Sequence, residues 1–336
     1  MKRIGNLYEK VCSIENLQLA DEKARKGKLR TYGVIEHDKK REVNLLKLRE
    51  TLLNGTFHTS KYDVFTIYEP KEREIYRLPY FPDRILHHAI MNVLEPIWVS
   101  TFTADTYSCI KNRGIHAAAK KVKQALREDP EGTTFCLKLD IRKFYPSINH
   151  DVLKSILRRK LKDKRLLRLL DEIIDSADGV PIGNYLSQYF ANLYLTYFDH
   201  WIKEQKRVKH YFRYADDIVI LASDKSYLHS LMGEIRAYLG DLKLEVKGNW
   251  QVFPVAARGI DFVGYVFFHT HTRMRKGIKK TFCRWLAKLN KRKRPLSEKD
   301  FKQAICPWWG WAKSCDSKHL IKKLSKTSKY EIKFKR

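Results

Sequence analysis

Two short apolar segments that end in acidic residues constrain the fold of this chain most strongly. Residues 135–140, Phe-Cys-Leu-Lys-Leu-Asp, alternate between apolar and polar side chains, as a strand with one buried face does. In residues 211–222, Tyr-Phe-Arg-Tyr-Ala-Asp-Asp-Ile-Val-Ile-Leu-Ala, two apolar runs flank an Asp-Asp pair. This pattern predicts a β-hairpin with both acids at its tip. If the hairpin and the first strand share an antiparallel sheet, Asp140, Asp216 and Asp217 converge at one edge of it.

Three clustered carboxylates repel one another unless a cation neutralises them. Their hard oxygen atoms suit Mg²⁺, which takes its remaining ligands from water and from substrate phosphates. We therefore expect two Mg²⁺ ions, with Mn²⁺ as a substitute, serving phosphoryl transfer in an in-line displacement. The alternative interpretation is a solvated turn, since an isolated Asp-Asp pair is common there, but apolar strands on both sides favour catalysis.

The remaining periodicities predict an α+β core of a few antiparallel strands backed by helices. A helix is expected over 38–54, with Asp38 as its N-cap and Gly55 at its end. Other helices are predicted from Pro82 onward and over 150–161, 164–176, 185–205 and 225–239, and strands over 64–68, 74–78, 242–246 and near 262–268.

Charge points to a polyanionic partner. The 67 Lys and Arg against 38 Asp and Glu give a formal net charge of +29. Residues 273–336 hold 22 Lys and Arg against four Asp and Glu, so +18 of that excess lies there. Such a field favours nucleic acid over a merely solvated basic surface. Scattered cysteines, the lack of an apolar signal core and the lack of an apolar run long enough to span a bilayer predict a cytoplasmic protein with free thiols and no membrane partner.

A set of motifs carries a family resemblance over residues 65–270. Tyr214-Ala-Asp-Asp217 resembles the YxDD box of reverse transcriptases, and residues 138–148, Lys-Leu-Asp-Ile-Arg-Lys-Phe-Tyr-Pro-Ser-Ile, resemble their first palm motif. Residues 69–77 and 107–114 are similar to two fingers motifs, and residues 259–265 to the primer-grip hairpin. The motifs run in the family's order, which makes them specific together.

The resemblance implies a right-hand polymerase. Its expected domains are an N-terminal extension (1–60), fingers (61–134), a palm (135–272, with fingers elements around 150–182) and a basic helical thumb (273–336). The implied substrates are deoxynucleotides, a template RNA and the growing cDNA. The implied metal ligands are Asp140, Ile141, Asp216 and Asp217. The residues implied to bind the nucleotide or nucleic acid are Lys71, Arg77, Arg113, Tyr145, Ile182, Gly183, Ser187, Gln188 and Tyr214.

Two further candidates have competing interpretations. Lys247 follows the predicted strand 242–246 and is expected to protonate the leaving pyrophosphate, as a lysine near this place does in the family, or to be a solvated lysine. Trp308, Trp309 and Trp311 could stack on bases, but packing within the thumb is the stronger expectation at their spacing.

One motif narrows the resemblance. Most reverse transcriptases carry Gln-Gly-x-x-x-Ser-Pro before the long palm helix, whereas residues 182–188 here read Ile-Gly-Asn-Tyr-Leu-Ser-Gln. This variant resembles the reverse transcriptases of diversity-generating retroelements, found in bacteria and their phages. They copy a template-repeat RNA, misincorporate at template adenines and work with a small basic accessory variability protein, expected here as an oligomer. An apolar Ile182 in place of a hydrogen-bonding Gln is expected to loosen nucleotide selection.

Several alternatives stay open. Within the class they are a retron, a group II intron-like or a phage-defence reverse transcriptase. Outside it, the chain could be a non-catalytic RNA-binding scaffold, against which the intact Asp140, Asp216, Asp217, Tyr145 and Lys71 argue.

Overall fold

The computed structural model describes residues 3–68, 72–330 and 332. In chain order its helices are α1 Tyr8–Cys12, α2 Ile14–Ala24, α3 Tyr32–Asp38, α4 Arg41–Asn54, α5 Ile85–Val99, α6 Ile115–Glu128, α7 Phe144–Ser147, α8 His150–Lys160, α9 Lys164–Asp175, α10 Tyr185–Tyr194, α11 Thr196–His200, α12 Lys225–Asp241, α13 Val255–Arg258, α14 Lys276–Asn290, α15 Glu298–Lys313 and α16 Lys318–Thr327. Its strands are β1 Asp63–Ile67, β2 Arg73–Arg77, β3 Phe135–Asp140, β4 His210–Tyr214, β5 Asp217–Ala222, β6 Gln251–Pro254, β7 Ile260–Phe262, β8 Tyr265–Phe267 and β9 Thr272–Met274. This mixed content confirms the α+β prediction.

The chain folds into two compact units that interleave along the sequence. The first comprises residues 1–104, 141–205 and 236–246, and the second residues 105–140, 206–235 and 247–336. The predicted boundaries of fingers, palm and thumb follow family motifs and remain a prediction.

The first unit is mainly helical. Its helices α1, α2 and α4 pack with α5, and α10 packs on α5 and α8. Strands β1 and β2 form an antiparallel hairpin that pairs Asp63 with Arg77, as the two apolar runs predicted. Helices α8 and α9 begin at Asn149 and Asp163, whose side chains accept hydrogen bonds from backbone amides of the first turn.

The second unit is built on a four-stranded antiparallel sheet of order β4-β5-β3-β6. The register pairs Asp140 of β3 with Asp217 of β5, which confirms that the two acidic segments meet in one sheet. A separate three-stranded sheet, β7-β8-β9, follows it in the chain. Between β7 and β8 the turn residues Val263 and Gly264 both have positive φ, 42° and 87°. Helices α14, α15 and α16 confirm the helical prediction for the basic C-terminal region.

The tryptophans of α15 pack inside the second unit. Trp308 stacks on Phe282 with ring centroids 4.8 Å apart, and Trp311 lies 5.2 Å from the ring of Tyr265. Trp309 joins the same hydrophobic core as a half-buried side chain. Packing, the stronger of the two expectations, therefore accounts for all three.

Three predicted elements differ from the structure, and one strand was not predicted. Helix α4 begins at Arg41, and Asp38 ends α3 instead, where it pairs with Arg25. The long helix predicted over 185–205 breaks at Leu195, whose φ and ψ of −98° and 2° leave the helical region. Residues 242–246 form no strand and make one isolated bridge, between Val246 and Ile141. The fourth strand of the sheet is β6, which the sequence pattern did not indicate.

The six cysteines are free thiols, as expected. Across the described residues, no helix combines the length and the apolar character that a bilayer span requires.

Candidate functional site

The carboxylates that the sequence singled out lie at one end of the β3–β5 pair in the second unit. Asp140 is the last residue of β3, and Asp217 is the first residue of β5 and its partner in the register. The preceding Asp216 lies in the β4–β5 turn, close enough to Asp140 for the two carboxylates to repel each other. The structure thus brings all three acids to one edge, as a strand end and a hairpin tip predicted.

The environment of these acids disfavours negative charge. Burial, followed by the neighbouring Asp140 carboxylate, raises the pKa of Asp216 to about 6. Burial also raises the pKa of Asp217, with Asp140 adding to the effect and Lys138 opposing it. Because burial and neighbouring negative charge disfavour the ionised forms of Asp216 and Asp217, a bound cation would stabilise them.

Two lysines supply positive charge to this edge. The Nζ of Lys247 donates to Oδ1 of Asp140 at 2.6 Å, and its backbone amide donates to the Asp140 carbonyl at 2.9 Å. Lys138, which shares a strand face with Asp140, forms an ion pair with Asp217. Its ammonium also lies 5.1 Å from the ring centroid of Phe262. Lys247 is therefore at the acids and paired, although the strand expected before it is absent.

A buried arginine shapes the turn that carries Asp216. Arg213 of β4 is fully buried, and its Nη1 donates to the carbonyl of Ala215 at 3.0 Å. Ala215 has a φ of 55°, a left-handed conformation that costs free energy in a residue with a Cβ. We infer that the guanidinium bond holds this strained turn, because it satisfies the carbonyl in the conformation that orients the acid pair.

The second segment that resembles a fingers motif, residues 107–114, is joined to the strand that leads into the same turn. The backbone of Tyr107 donates to the Arg213 carbonyl at 3.0 Å, and that of Arg213 donates to the Asp105 carbonyl at 3.0 Å. The half-buried Tyr214 hydrogen-bonds Ser108 through its side chain. Arg113 is half-buried at the end of the segment. Burial raises the pKa of Tyr107, and the charge of the nearby Arg113 opposes that rise. Residues 105–114 are thus attached to the strand that leads into the acids.

Among the described residues of the predicted nucleotide site, Tyr145, Ile182 and Gly183 lie at or beside one loop of the first unit. The backbone amide of Tyr76, next to Arg77 in β2, donates to the Ile182 carbonyl at 2.8 Å, and that of Val180 donates to the Tyr145 carbonyl at 2.9 Å. The loop that ends at Gly183 therefore connects the β2 strand to helix α7, which contains Tyr145.

Glycines permit this close backbone approach. A Cβ on Gly183, whose φ is 125°, would lie 2.5 Å from the carbonyl oxygen of Tyr76. A Cβ on Gly179, with a φ of 59°, would lie 2.5 Å from that of Pro146. Both positions accept only glycine without displacing backbone.

The other residues of the motif differ in exposure. Ser187 is buried in the interior with Ile174 and Phe190, whereas Gln188 is exposed and Ile182 half-buried. The Arg77 side chain is exposed and forms an ion pair with Asp63 across the hairpin. Lys71 lies outside the described residues.

The oxygen atoms of Asp140, Asp216 and Asp217, at the end of the β3–β5 pair, suit a divalent cation. This edge offers hard carboxylate oxygens whose charge is incompletely neutralised, next to Ile141, whose buried side chain fixes the backbone after Asp140. In residues 3–68, 72–330 and 332, however, no three His, Cys, Asp or Glu side chains are arranged as a ready-made metal site. The lysine pairing of Asp217 and Asp140 is consistent with that finding.

Sequence reasoning missed three contributors to these sites. Lys138 was visible on the Asp140 face of the alternating strand, but its partner depends on the β3–β5 register. Arg213 appeared as a polar residue within an apolar run, a signal for a buried charge. Gly179 gave no signal beyond its place in a turn, because its contact with Pro146 is distant in sequence.

Comparison with known proteins matches residues 69–267, more than half of the chain, to the family model described as reverse transcriptase (RNA-dependent DNA polymerase). Protein YkfC of Escherichia coli is 26% identical over 279 residues, which cover 69% of this chain and 73% of that protein. The group II intron-encoded protein LtrA of Lactococcus lactis is 23% identical over 191 residues, 52% of this chain and 31% of LtrA.

Two further similarities are more distant. Nuclear intron maturase 4 of Arabidopsis thaliana is 27% identical over 161 residues, which cover 46% of this chain and 20% of the maturase. A telomerase structure from Candida tropicalis, in complex with a TWJ fragment of telomeric RNA, gives a TM-score of 0.50 at 13% identity over 82% of this chain and 56% of that one. This likeness concerns the fold alone. The matches to the intron proteins span a third of their length or less.

Proposed function

This chain belongs to the reverse transcriptase (RNA-dependent DNA polymerase) family, and we propose that it extends a DNA strand on an RNA template at the edge formed by Asp140, Asp216 and Asp217. In the proposed reaction a 3′-hydroxyl attacks the α-phosphate of a deoxynucleotide, and pyrophosphate leaves. The observation that carries the proposal is the convergence of three half-buried carboxylates, where partial burial and Asp140 raise the pKa of Asp216 to about 6.

Residues at this edge have separate proposed roles. Asp140, Asp216 and Asp217, with Ile141, would hold two Mg²⁺ ions, and Mn²⁺ would substitute. Bound there, the ions supply charge that stabilises the attacking and leaving oxygens. Lys247, already hydrogen-bonded to Asp140, is the proposed proton donor to the leaving pyrophosphate.

The first unit is proposed to hold the incoming nucleotide. Lys71 and Arg77 would bind the triphosphate, and Tyr145 would pack under the sugar and exclude a 2′-hydroxyl. Ile182, Gly183, Ser187 and Gln188 would form the wall beside the nascent base pair; since Ser187 is buried, it would act through packing. Arg113 and Tyr214 are the proposed contacts to nucleic acid.

Primer extension tests the polymerase. The wild type is expected to incorporate deoxynucleotides on a primed RNA template with Mg²⁺, and Asp216→Asn to lose activity by at least about a hundredfold. Asp241→Asn, which changes an exposed acid at the end of α12, is the matched control and should retain activity. Absence of metal-dependent incorporation by the wild type would favour a non-catalytic RNA-binding scaffold.

Within the family we propose a reverse transcriptase of a diversity-generating retroelement, which makes mutagenised cDNA from a template-repeat RNA with a basic accessory protein. Its support is Ile182: an apolar wall discriminates among nucleotides more weakly than a hydrogen-bonding Gln, because a wrong base leaves no polar group of the protein unsatisfied. A bacterial or phage origin and a cytoplasmic location belong to the same proposal.

The test compares misincorporation opposite template adenine in Ile182→Gln, Ile182→Val and the wild type. Ile182→Gln is expected to lower the error frequency, and Ile182→Val, which keeps the wall apolar, to leave it unchanged. Equal error frequencies in all three would remove Ile182 from nucleotide selection.

The second candidate is an intron-associated reverse transcriptase, favoured by the similarity to LtrA and to nuclear intron maturase 4. Binding measurements separate the two: a maturase would prefer a structured intron RNA over a template-repeat RNA of equal length. Preference for the intron RNA in matched competition would contradict the retroelement proposal.

A further inference from the structure

A cluster of basic side chains in the first unit forms no ion pair with an acid among the described residues. Arg84, His88 and Asn92 lie four residues apart, so they form one stripe along α5 and the turn before it. Lys23 of α2 donates from its Nζ to Oδ1 of Asn92 at 2.6 Å. Lys28, in the turn after α2, lies close enough to Arg84 that the guanidinium adds to burial in lowering the pKa of Lys28.

The guanidinium of Arg84 is half-buried and incompletely bonded. Its buried Nε has no hydrogen-bond partner, and no ion pair joins Arg84 or Lys28 to a carboxylate within residues 3–68, 72–330 and 332. The two buried acids of this region bond to other groups. Asp21 accepts from Arg25, Arg41 and Tyr80. Asp83 accepts from the Ser60 amide through Oδ1 at 3.0 Å, and its buried Oδ2 has no hydrogen-bond partner among the described residues.

The half-buried His88 is a further member of the cluster. Its ring stacks on Tyr185, at the start of α10, with centroids 4.4 Å apart and planes 19° apart. Burial, then the charges of Arg84, Lys23 and Lys28, lowers the pKa of His88 to about 4. The imidazole is therefore neutral at pH 7 and keeps one N–H to donate to an anion.

An unpaired, partly buried guanidinium is costly, and proteins ordinarily pair such a charge or bond all of its donors. Arg84 and His88 lie one helical turn apart, and Lys28 lies near enough to both for their charges to interact, so a bound oxyanion would offset the charges of this cluster. We propose that Arg84, Lys28 and His88 form a phosphate-binding site that takes a backbone phosphate of a nucleic-acid strand. The source of the phosphate rests on the proposed function, whereas the site itself rests on the unpaired charges.

The experiment uses the full chain and two probes. To test whether the site binds phosphate, the unfolding temperature is measured in inorganic phosphate and in chloride at equal ionic strength. To test whether the phosphate belongs to a nucleic-acid strand, the affinity of the protein for a labelled single-stranded oligouridylate is measured as a function of salt concentration. The variants are Arg84→Gln and Lys28→Gln, with Lys26→Gln as the matched control, because Lys26 is an exposed lysine in the same turn.

We expect phosphate to raise the unfolding temperature of the wild type and of Lys26→Gln, but not of Arg84→Gln. Arg84→Gln should be at least as stable as the wild type in chloride, because it removes an uncompensated charge. Its affinity for oligouridylate at low salt should fall about tenfold, and the slope of log affinity against log salt should decrease by about 0.7, the value for one lost phosphate contact.

Each other outcome has a defined meaning. Phosphate stabilisation that depends on Arg84, with an unchanged salt slope, would overturn the nucleic-acid source in favour of free phosphate or nucleotide. No phosphate stabilisation of the wild type, or the same stabilisation in both glutamine variants, would overturn the site. If Arg84→Gln does not fold, Lys28→Gln decides by the same two readouts. Because neither readout requires polymerisation, loss of the proposed function would leave the phosphate result standing.

Discussion

Replacing Asp216 with Asn should stabilise the metal-free protein at neutral and alkaline pH while it removes activity. Asp216 has a folded-state pKa of about 6 against an ordinary value of 3.8, because burial and Asp140 disfavour its charge. Its contribution to stability is therefore fully present below pH 3.8 and is lost as the pH rises through about 6. The difference between the two values corresponds to roughly 3 kcal/mol at pH 8.

Asn keeps the shape of Asp and carries no charge, so Asp216→Asn should escape this loss. For a chain of this length each kcal/mol shifts the unfolding temperature by on the order of 2 °C. In EDTA at pH 8 the variant should unfold several degrees above the wild type, and the gap should close toward pH 4. Added Mg²⁺ should raise the unfolding temperature of the wild type more than that of the variant.

Unfolding temperatures measured from pH 4 to pH 8, with and without Mg²⁺, check this prediction. Asp241→Asn is the control, and it should follow the wild type at every pH because Asp241 is exposed. If Asp216→Asn is no more stable than the wild type at pH 8, or if the gap between them does not change with pH, the electrostatic account of this edge is wrong.

Two further predictions follow from contacts at the two sites. Lys138→Met leaves Asp217 without its ion-pair partner, so the free energy of unfolding of the metal-free protein should fall by roughly 1–3 kcal/mol. Added Mg²⁺ should then stabilise this variant more than it stabilises the wild type. Thermal unfolding in a Mg²⁺ titration measures both effects. Gly183→Ala places a Cβ 2.5 Å from the Tyr76 carbonyl oxygen, so it should lower the free energy of unfolding by about 1–3 kcal/mol and raise the KM for deoxynucleotides. Gly240→Ala, at an open helical position, is the control and should leave stability unchanged or increase it. Equal effects of the two alanines would contradict the packing argument.

The strands that carry the acids were predictable because the pattern that specifies each of them lies within its own few residues. The alternation in β3 and the apolar runs of β4 and β5 determine both the strand type and the face on which each acid lies. Strand β6 escaped prediction because its four residues are only partly buried and end in Pro254, so no apolar face marks it. Residues 242–246 alternate as a strand would, yet form only one bridge, since strand formation depends on a partner that the pattern does not contain.

The predictable part of the candidate site is the group of three acids, which lies on the β3–β5 strand pair and the turn before β5. That Lys138 neutralises Asp217 depends on the register, and that Ile182 bonds to Tyr76 depends on a contact between segments more than a hundred residues apart. Such pairings are properties of the folded chain, and neither segment alone determines them. The unpaired state of Arg84 likewise became visible only once the partners of Asp21 and Asp83 were known.

The order of the sheet, β4-β5-β3-β6, has a consequence for folding during synthesis. Both neighbours of β3 come later in the chain, since Asp217 and Gln251 lie 77 and 111 positions beyond Asp140. As the chain leaves the ribosome, β3 therefore exposes two unpaired edges and an apolar face for the time needed to make its partners, a state prone to aggregation. Lys138 and Asp140 place charges of opposite sign on the other face of the strand, in the manner of gatekeeper residues. The same side chains that converge at the completed edge would thus protect the strand before it has neighbours.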